Sequence, residues 1–333
     1  MRKTSRLIGA TVLFAAIAAA AYIALLGQGA VELSPTQVLH VLRGGGTSRE
    51  IAVVWDLRLP VAVATLLVGA ALGMAGEWTQ TMARNPLASP DILGVTSGAA
   101  LLVVLGTVTY RPEFSQALPD FWWRAVLALC GAAGVVVLLV ALGGVGTSDR
   151  IVLTGFALSL MLHAAVSYLL LKAEVLRAVE AQTWLAGSTG FVRIDGVIAL
   201  SVGVLPFVAL GLWCGRDLPL LALDDISATA LGVNLKARRA ALLVAATGIS
   251  AVVVSVVGPI GFVALLAPHL GRIVARTPNP APVVSAAAGA ALLAVCAVVA
   301  GLIPAAAPVG AVSSAIGGVA LVLLVWRQSR STR

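Results

Sequence analysis

The sequence predicts an all-α polytopic membrane protein of about ten transmembrane helices, and three observations carry that reading. Hydrophobic residues make up 60% of the 333 and charged residues only 11%, with a mean hydropathy of +1.03; soluble domains are nearer half apolar and a quarter charged. Apolar runs of about 20 residues, enough to cross a hydrocarbon core, recur from end to end. The basic residues behind the net charge of +8 fall in short clusters between those runs, which suits topology signals and not a nucleic-acid surface. In lipid such runs must be helical, because no other open structure satisfies its own backbone.

Spans are expected near 7–26, 59–81, 92–109, 124–143, 151–171, 194–214, 238–257, 259–275, 281–302 and 308–326, in a single transmembrane domain covering 1–333. The first run is span-length, which favours a membrane helix over a cleaved leader. Residues 178–190 are too short and polar to cross and suggest a shallow surface helix. The eighth span opens with Gly258-Pro259 and meets Pro268, so it is short or broken. With the N-terminus inside, fourteen of the twenty-two Lys and Arg fall on the inner side, which predicts cytoplasmic termini. Trp55, Trp122, Trp123, Trp213 and Trp326 lie at span ends, where an indole prefers the headgroup region. Gly69/Gly73, Gly94/Gly98 and Gly211/Gly215 have the four-residue spacing that lets helices approach closely. Cys130, Cys214 and Cys296 lack any ligand spacing and read as small apolar residues.

Two inner connections break the apolar pattern. RNPLASPDILGVTSG, residues 84–98, holds Asn85-Pro86 and Ser89-Pro90, which forbid a continuous helix and fix a compact turn. Such a turn is either a gate or an ordinary interhelical connection. The loop at about 215–237 contains DDISATALG, with Asp224 and Asp225 as N-cap residues and Gly232 placed to end a short helix. Its apolar face, Ile226, Ala230 and Leu231, lacks a partner within the loop. Glu77 lies inside a span, where an ionisable group is costly; it faces a polar pathway, or it forms a structural ion pair or is a protonated core acid, with Arg84 two turns away. His163 falls within the fifth span and is either packing or pathway-facing. No HExxH, GxSxG or GxxxxGK[ST] motif is present, so no catalytic residue, metal site or nucleotide loop is expected.

LRLPVAVATLLVGAALGMAGEWTQTMARNPLASPDILGVTSGAAL, TSDRIVLTGFALS, QTWLAGSTG, DDISATALGVNL and VGPIGFVALLAPHLGRIV, in that order across about residues 50–276, resemble the FecCD-type permeases of ABC importers for iron-siderophores, haem and cobalamin. The resemblance implies a type II ABC importer permease that pairs with a second permease. It also implies two cytoplasmic ATPases, an extracytoplasmic binding protein and a bacterial inner membrane. The ATPases would use ATP and Mg; this chain would bind no cofactor directly and no nucleic acid. By this resemblance Asn85, Pro86, Leu87 and Ala88 match a cytoplasmic gate turn, and Thr147 and Ser148 the other. Asp225, Ile226, Ser227, Ala228, Thr229, Ala230, Leu231 and Gly232 match the coupling helix that docks on the ATPase. Arg49 and Arg58 match arginines that meet acidic residues of the binding protein. The family also carries charges near the outer end of the ninth span, whereas this chain has none from Thr277 to Trp326; that points to a heterodimer with a differently charged permease, a homodimer being the alternative.

An ion-coupled secondary transporter is the competing reading, and it predicts a relay of intramembrane carboxylates of which mainly Glu77 is visible. A receptor or scaffold leaves the polar turns and the broken span unexplained. A ferric-siderophore or related metal chelate is the expected cargo.

Overall fold

The structure is a computed structural model that describes residues 2–29, 31, 33–109, 111–143, 148–303 and 307–331. Every regular element among them is helical. The first span, α1, is Arg2–Gly27, followed outside the span by α2, Pro35–Leu42. The helix α3, Ser48–Ala52, runs through a π-helical stretch, Val53–Arg58, into α4, Leu59–Ala83. Next come α5, Val95–Val108, α6, Asp120–Leu138, and α7, Ser148–Lys172. The shallow helix expected at 178–190 forms slightly earlier, as α8, Val175–Leu185, ahead of α9, Ile194–Trp213. Two short helices follow, α10 at Leu218–Leu221 and α11 at Asp225–Ala230. The chain finishes with α12, Leu235–Val257, α13, Val263–Ala275, α14, Pro282–Leu302, and α15, Val309–Ser331. Seven helical segments of the described chain are long and apolar enough to cross a membrane, and three shorter apolar ones lie at the remaining expected spans.

The helix α4 is the axis of the bundle, in contact with α14, α12, α13 and α9. It is mostly small residues, so its neighbours' backbones come close. A Cβ on Gly73 would lie 2.1 Å from Ser285 O, and one on Gly69 2.4 Å from Gly289 O. Trp78, fully buried, lies against Gly211. Of the expected small-residue pairs, Gly98 meets Gly131 in the same way, but a Cβ on Gly215 would meet nothing within 4 Å. Packing of this kind, not the hydrophobic effect, holds helices together in lipid.

The eighth span is broken as expected. Residues 258–262 are not helical, and Phe262 adopts φ 67° before α13 begins. Non-helical backbone at membrane depth is tolerated only where protein satisfies it, and here protein surrounds it. Ser313 Oγ donates to Gly261 O at 3.1 Å, and Gly187 and Gly310 lie against Pro259 O. Pro268 is accommodated inside α13. Cys214 and Cys296 are buried as apolar residues, whereas Cys130 is exposed because it falls on the outward face of α6.

Filling the α4–α14 contact should unmake the bundle. Gly73→Leu is expected to cut the yield of monodisperse, detergent-solubilised protein several-fold, overpacking of this kind costing about 1–3 kcal/mol or more. Gly215→Ala should leave the yield unchanged. Size-exclusion profiles of the two variants compare them directly.

Candidate functional site

The turn after α4 is built by one left-handed residue and two prolines. Arg84 ends the helix at φ 48°, ψ 32°, a conformation that costs a residue with a Cβ roughly 1–2 kcal/mol. Arg84 N donates to Thr81 O at 3.3 Å and Asn85 N to Gln80 O at 3.2 Å, which satisfies carbonyls left open at the helix end. Leu87 N then donates to Asn85 Oδ1 at 2.9 Å and Ala88 N to Asn85 O at 3.1 Å. This Asx-type turn needs no outside partner. Pro86 and Leu87 are exposed at its tip, while Ala88, Ser89 and Pro90 are buried. A 3-10 turn, Pro90–Leu93, leads to Gly94 at φ 83°, where a Cβ would lie 3.2 Å from Gly155 O of α7. Thr96 Oγ1 donates to Asp91 at 2.6 Å; burial pushes the Asp91 carboxyl up, and the Thr96 hydrogen bond opposes it.

The loop between α9 and α12 lies at the same end of the bundle. Ser227 N donates to Asp224 Oδ1 at 2.9 Å, so Asp224 is the N-cap of α11, and hydrogen bonds from Ser227 hold its carboxyl below the usual range. Gly232 ends the turn at φ 86°. Ala228 is fully buried against the bundle, whereas Ile226 is 84% exposed and Leu231 60%. Ser227 is half-buried; Thr229 and Ala230 are exposed, and Thr229 Oγ1 donates to Asp225 O at 2.7 Å. The apolar face read from the sequence exists, and it points away from the protein.

Asp225 is exposed, but it is not the cap and it is not unpaired. Its carboxylate receives Arg239 Nη2 at 2.7 Å and Nη1 at 3.2 Å, and Arg84 Nη2 at 2.6 Å. Arg84 Nε also donates to Leu221 O at 3.1 Å. The Arg239 hydrogen bond, with Arg84 adding to it, holds the Asp225 carboxyl below the ordinary range. The preceding residue of α12 makes a parallel tie: Arg238 Nε is 2.5 Å from Asp217, with its guanidinium 4.5 Å over the Trp213 ring.

Glu77 is fully buried, and its partner is not Arg84. Arg272 Nη1 of α13 donates to Glu77 Oε1 at 2.8 Å, and Ser285 Oγ of α14 donates to Oε2. Arg272 Nη2 reaches Gln80 Oε1 at 2.5 Å, and Gln80 Nε2 donates to Leu265 O at 3.0 Å. This satisfied cluster joins three spans and favours the structural ion pair over the pathway role. It borders a cavity of about 220 Å³ shared with Arg84, Asn85, Pro86, Pro278 and Pro280.

His163 is exposed on α7, its Nδ1 2.9 Å from Ser159 O and 3.0 Å from Ser97 Oγ. A carbonyl only accepts, so the contact with Ser159 O requires a proton on Nδ1. Arg49 is exposed on α3. Arg58 is half-buried, and its guanidinium donates to Leu26 O (2.8 Å), Gly27 O (3.1 Å) and Val31 O. It is taken up by carbonyls at the end of α1, which that helix cannot satisfy itself. Thr147 lies outside the described residues, and Ser148 begins α7. At the opposite end of the bundle, Phe121, Arg124, Glu180, Trp184 and Phe191 line a cavity of about 430 Å³, with Arg124 paired to Glu180. Among the described residues no group of three His, Cys, Asp or Glu could hold a metal ion.

The profile of the FecCD transport family matches residues 13–327. The chain belongs to the FecCD transport family. It is 34% identical over 308 residues to the ferric enterobactin transport system permease FepG of Escherichia coli K12, covering 92% of each chain. It is 35% identical over 317 residues to the Fe(3+) dicitrate permease FecC of the same organism, covering 92% of this chain and 93% of that one. A solved inward-facing structure of a metal-chelate type ABC transporter superposes with a TM-score of 0.82 at 26% identity, over 96% of this chain and 98% of the other. A FecCD chain is a membrane-embedded permease subunit of an ATP-driven importer, not a secondary transporter, and is not itself catalytic.

Two outcomes follow. Glu77→Gln leaves the Arg272 charge without its carboxylate and should destabilise the solubilised protein by about 3 kcal/mol, read as a lowered thermal midpoint; Glu77→Gln with Arg272→Met should cost less than the sum of the single changes. Because Asp225 is held low, its ties to Arg84 and Arg239 are present above its ordinary value and lost only as pH falls through the lowered one. Uptake by the assembled transporter should therefore show no titration assignable to Asp225 between about pH 5 and 8.

Proposed function

We propose that this chain forms, with a second permease, the channel through which an iron chelate crosses a bacterial inner membrane, driven by two ABC ATPases that use ATP and Mg. The observation that carries this is α11, a capped helix with Ile226 and Leu231 exposed, at the same end of the bundle as the Asn85–Ala88 turn. That end is cytoplasmic in this reading, as are both termini, in keeping with the excess of Lys and Arg there. An ATPase groove covers Ile226 and Leu231, and ATP-driven approach of the two ATPases is carried through residues 217–232 into the bundle.

The cargo class rests on relatives named for ferric enterobactin and Fe(3+) dicitrate. Both are anionic iron chelates, large enough to require a wide path and not an ion-sized filter. A binding protein delivers the chelate to the opposite end, where Arg49 meets its carboxylates; exposed arginine gives orientation and on-rate more than lasting affinity. The second permease is a different chain, which supplies the charge missing between Thr277 and Trp326.

Co-expressed with candidate ATPases, the native chain should retain them through purification and Ile226→Glu with Leu231→Glu should not, uptake falling at least tenfold, roughly the loss of one buried apolar anchor. Retention of the ATPases by the double variant would remove α11 as the docking element. In the same vesicles, Arg49→Glu should weaken stimulation of ATP hydrolysis by the loaded binding protein, and unchanged stimulation would remove Arg49 from the docking face.

A further inference from the structure

The coupling loop and the gate turn are far apart in sequence, and one carboxylate joins them. Asp225 opens α11, Arg84 closes α4 immediately before Asn85-Pro86, and Arg239 lies on the second turn of α12. Two arginines on different spans converge on the same side chain, at 2.6 Å and 2.7 Å. Arg239 is 6% exposed and binds in bidentate fashion, the geometry that makes such a pair directional. Arg84 is tied twice, to Asp225 and to Leu221 O. Two bonds in different directions, from a residue with a left-handed backbone, prevent it from acting as a swivel. The turn also borders the cavity of about 220 Å³ that Arg84, Asn85 and Pro86 share with Ala222 of the loop and with Pro278 and Pro280, so it is bound to the loop beside open space.

We propose that Asp225 is the joint through which α11 and the gate turn move as one body, with Arg84 and Arg239 as positioning residues for transport. This rests on the reading of α11 as the ATPase contact. An isolated exposed ion pair contributes little; a carboxylate shared between one nearly buried arginine and one helix-terminal arginine fixes the relative placement of three elements. Motion delivered to Ile226 and Leu231 then reaches Pro86 without slack.

The test uses the assembled transporter, with both ATPases and the binding protein, in proteoliposomes, and reads uptake per ATP hydrolysed. Arg84→Gln is expected to keep the ATPases bound and lower that ratio about tenfold, the effect of losing one charge-assisted hydrogen bond. Arg84→Lys, which keeps the charge, should recover most of it. Should Arg84→Gln fail to assemble, Asp225→Asn carries the same expectation. An unchanged ratio in the assembled glutamine or asparagine variant overturns the joint. Failure of the underlying α11 reading shows separately, as ATPase retention by the variant with Ile226→Glu and Leu231→Glu.

Discussion

Charge at the edge of a hydrocarbon slab has to be neutralised by neighbours, and one end of this bundle is organised by that requirement. Glu77 is met by Arg272 and Ser285, Asp225 by Arg84 and Arg239, and Asp217 by Arg238. Glu77–Arg272 and Arg84–Asp225 join segments far apart in the sequence, and the Arg238 and Arg239 pairings tie α12 to the loop just before it. A pair of this kind adds little net stability over an apolar substitute, but breaking one partner is costly. What the pairs supply here is registration of α4, α12, α13 and the loop before α12.

The axial helix α4 concentrates these constraints along one rod. Its start is continuous with Arg58, which caps the end of α1. Its middle packs through Gly69 and Gly73 against α14. Its last turns carry Glu77 and Gln80, and its terminal residue is Arg84. A disturbance at α11 therefore meets a stiff element that reaches the other side of the membrane, with the compact turn at 85–88 at its end.

Much of this was legible in the sequence, for definite reasons. Span positions follow from apolar runs long enough for lipid, and the break before α13 from Gly258-Pro259 and the demand that irregular backbone be covered. Asp224, Gly232 and the outward Ile226 follow from capping chemistry and helical spacing. The pairings were not legible. Arg84 lies two turns from Glu77 on a similar face, and only the three-dimensional packing reveals that Arg272, nearly two hundred residues later, is closer. Arg58 reads as an exposed arginine until α1 is seen to end beneath it with unsatisfied carbonyls. The π-helical stretch at Val53–Arg58, which turns Arg58 inward, leaves no compositional trace.

The central claim is that the coupling helix and the gate turn travel together. Paired spin labels at Leu87→Cys and Thr229→Cys, both exposed, measure that separation in the assembled transporter. The account predicts one distance distribution, unchanged between the nucleotide-free and ATP-bound states, while the Leu87 position moves relative to the second permease. A within-chain distance that shifts with nucleotide would contradict it.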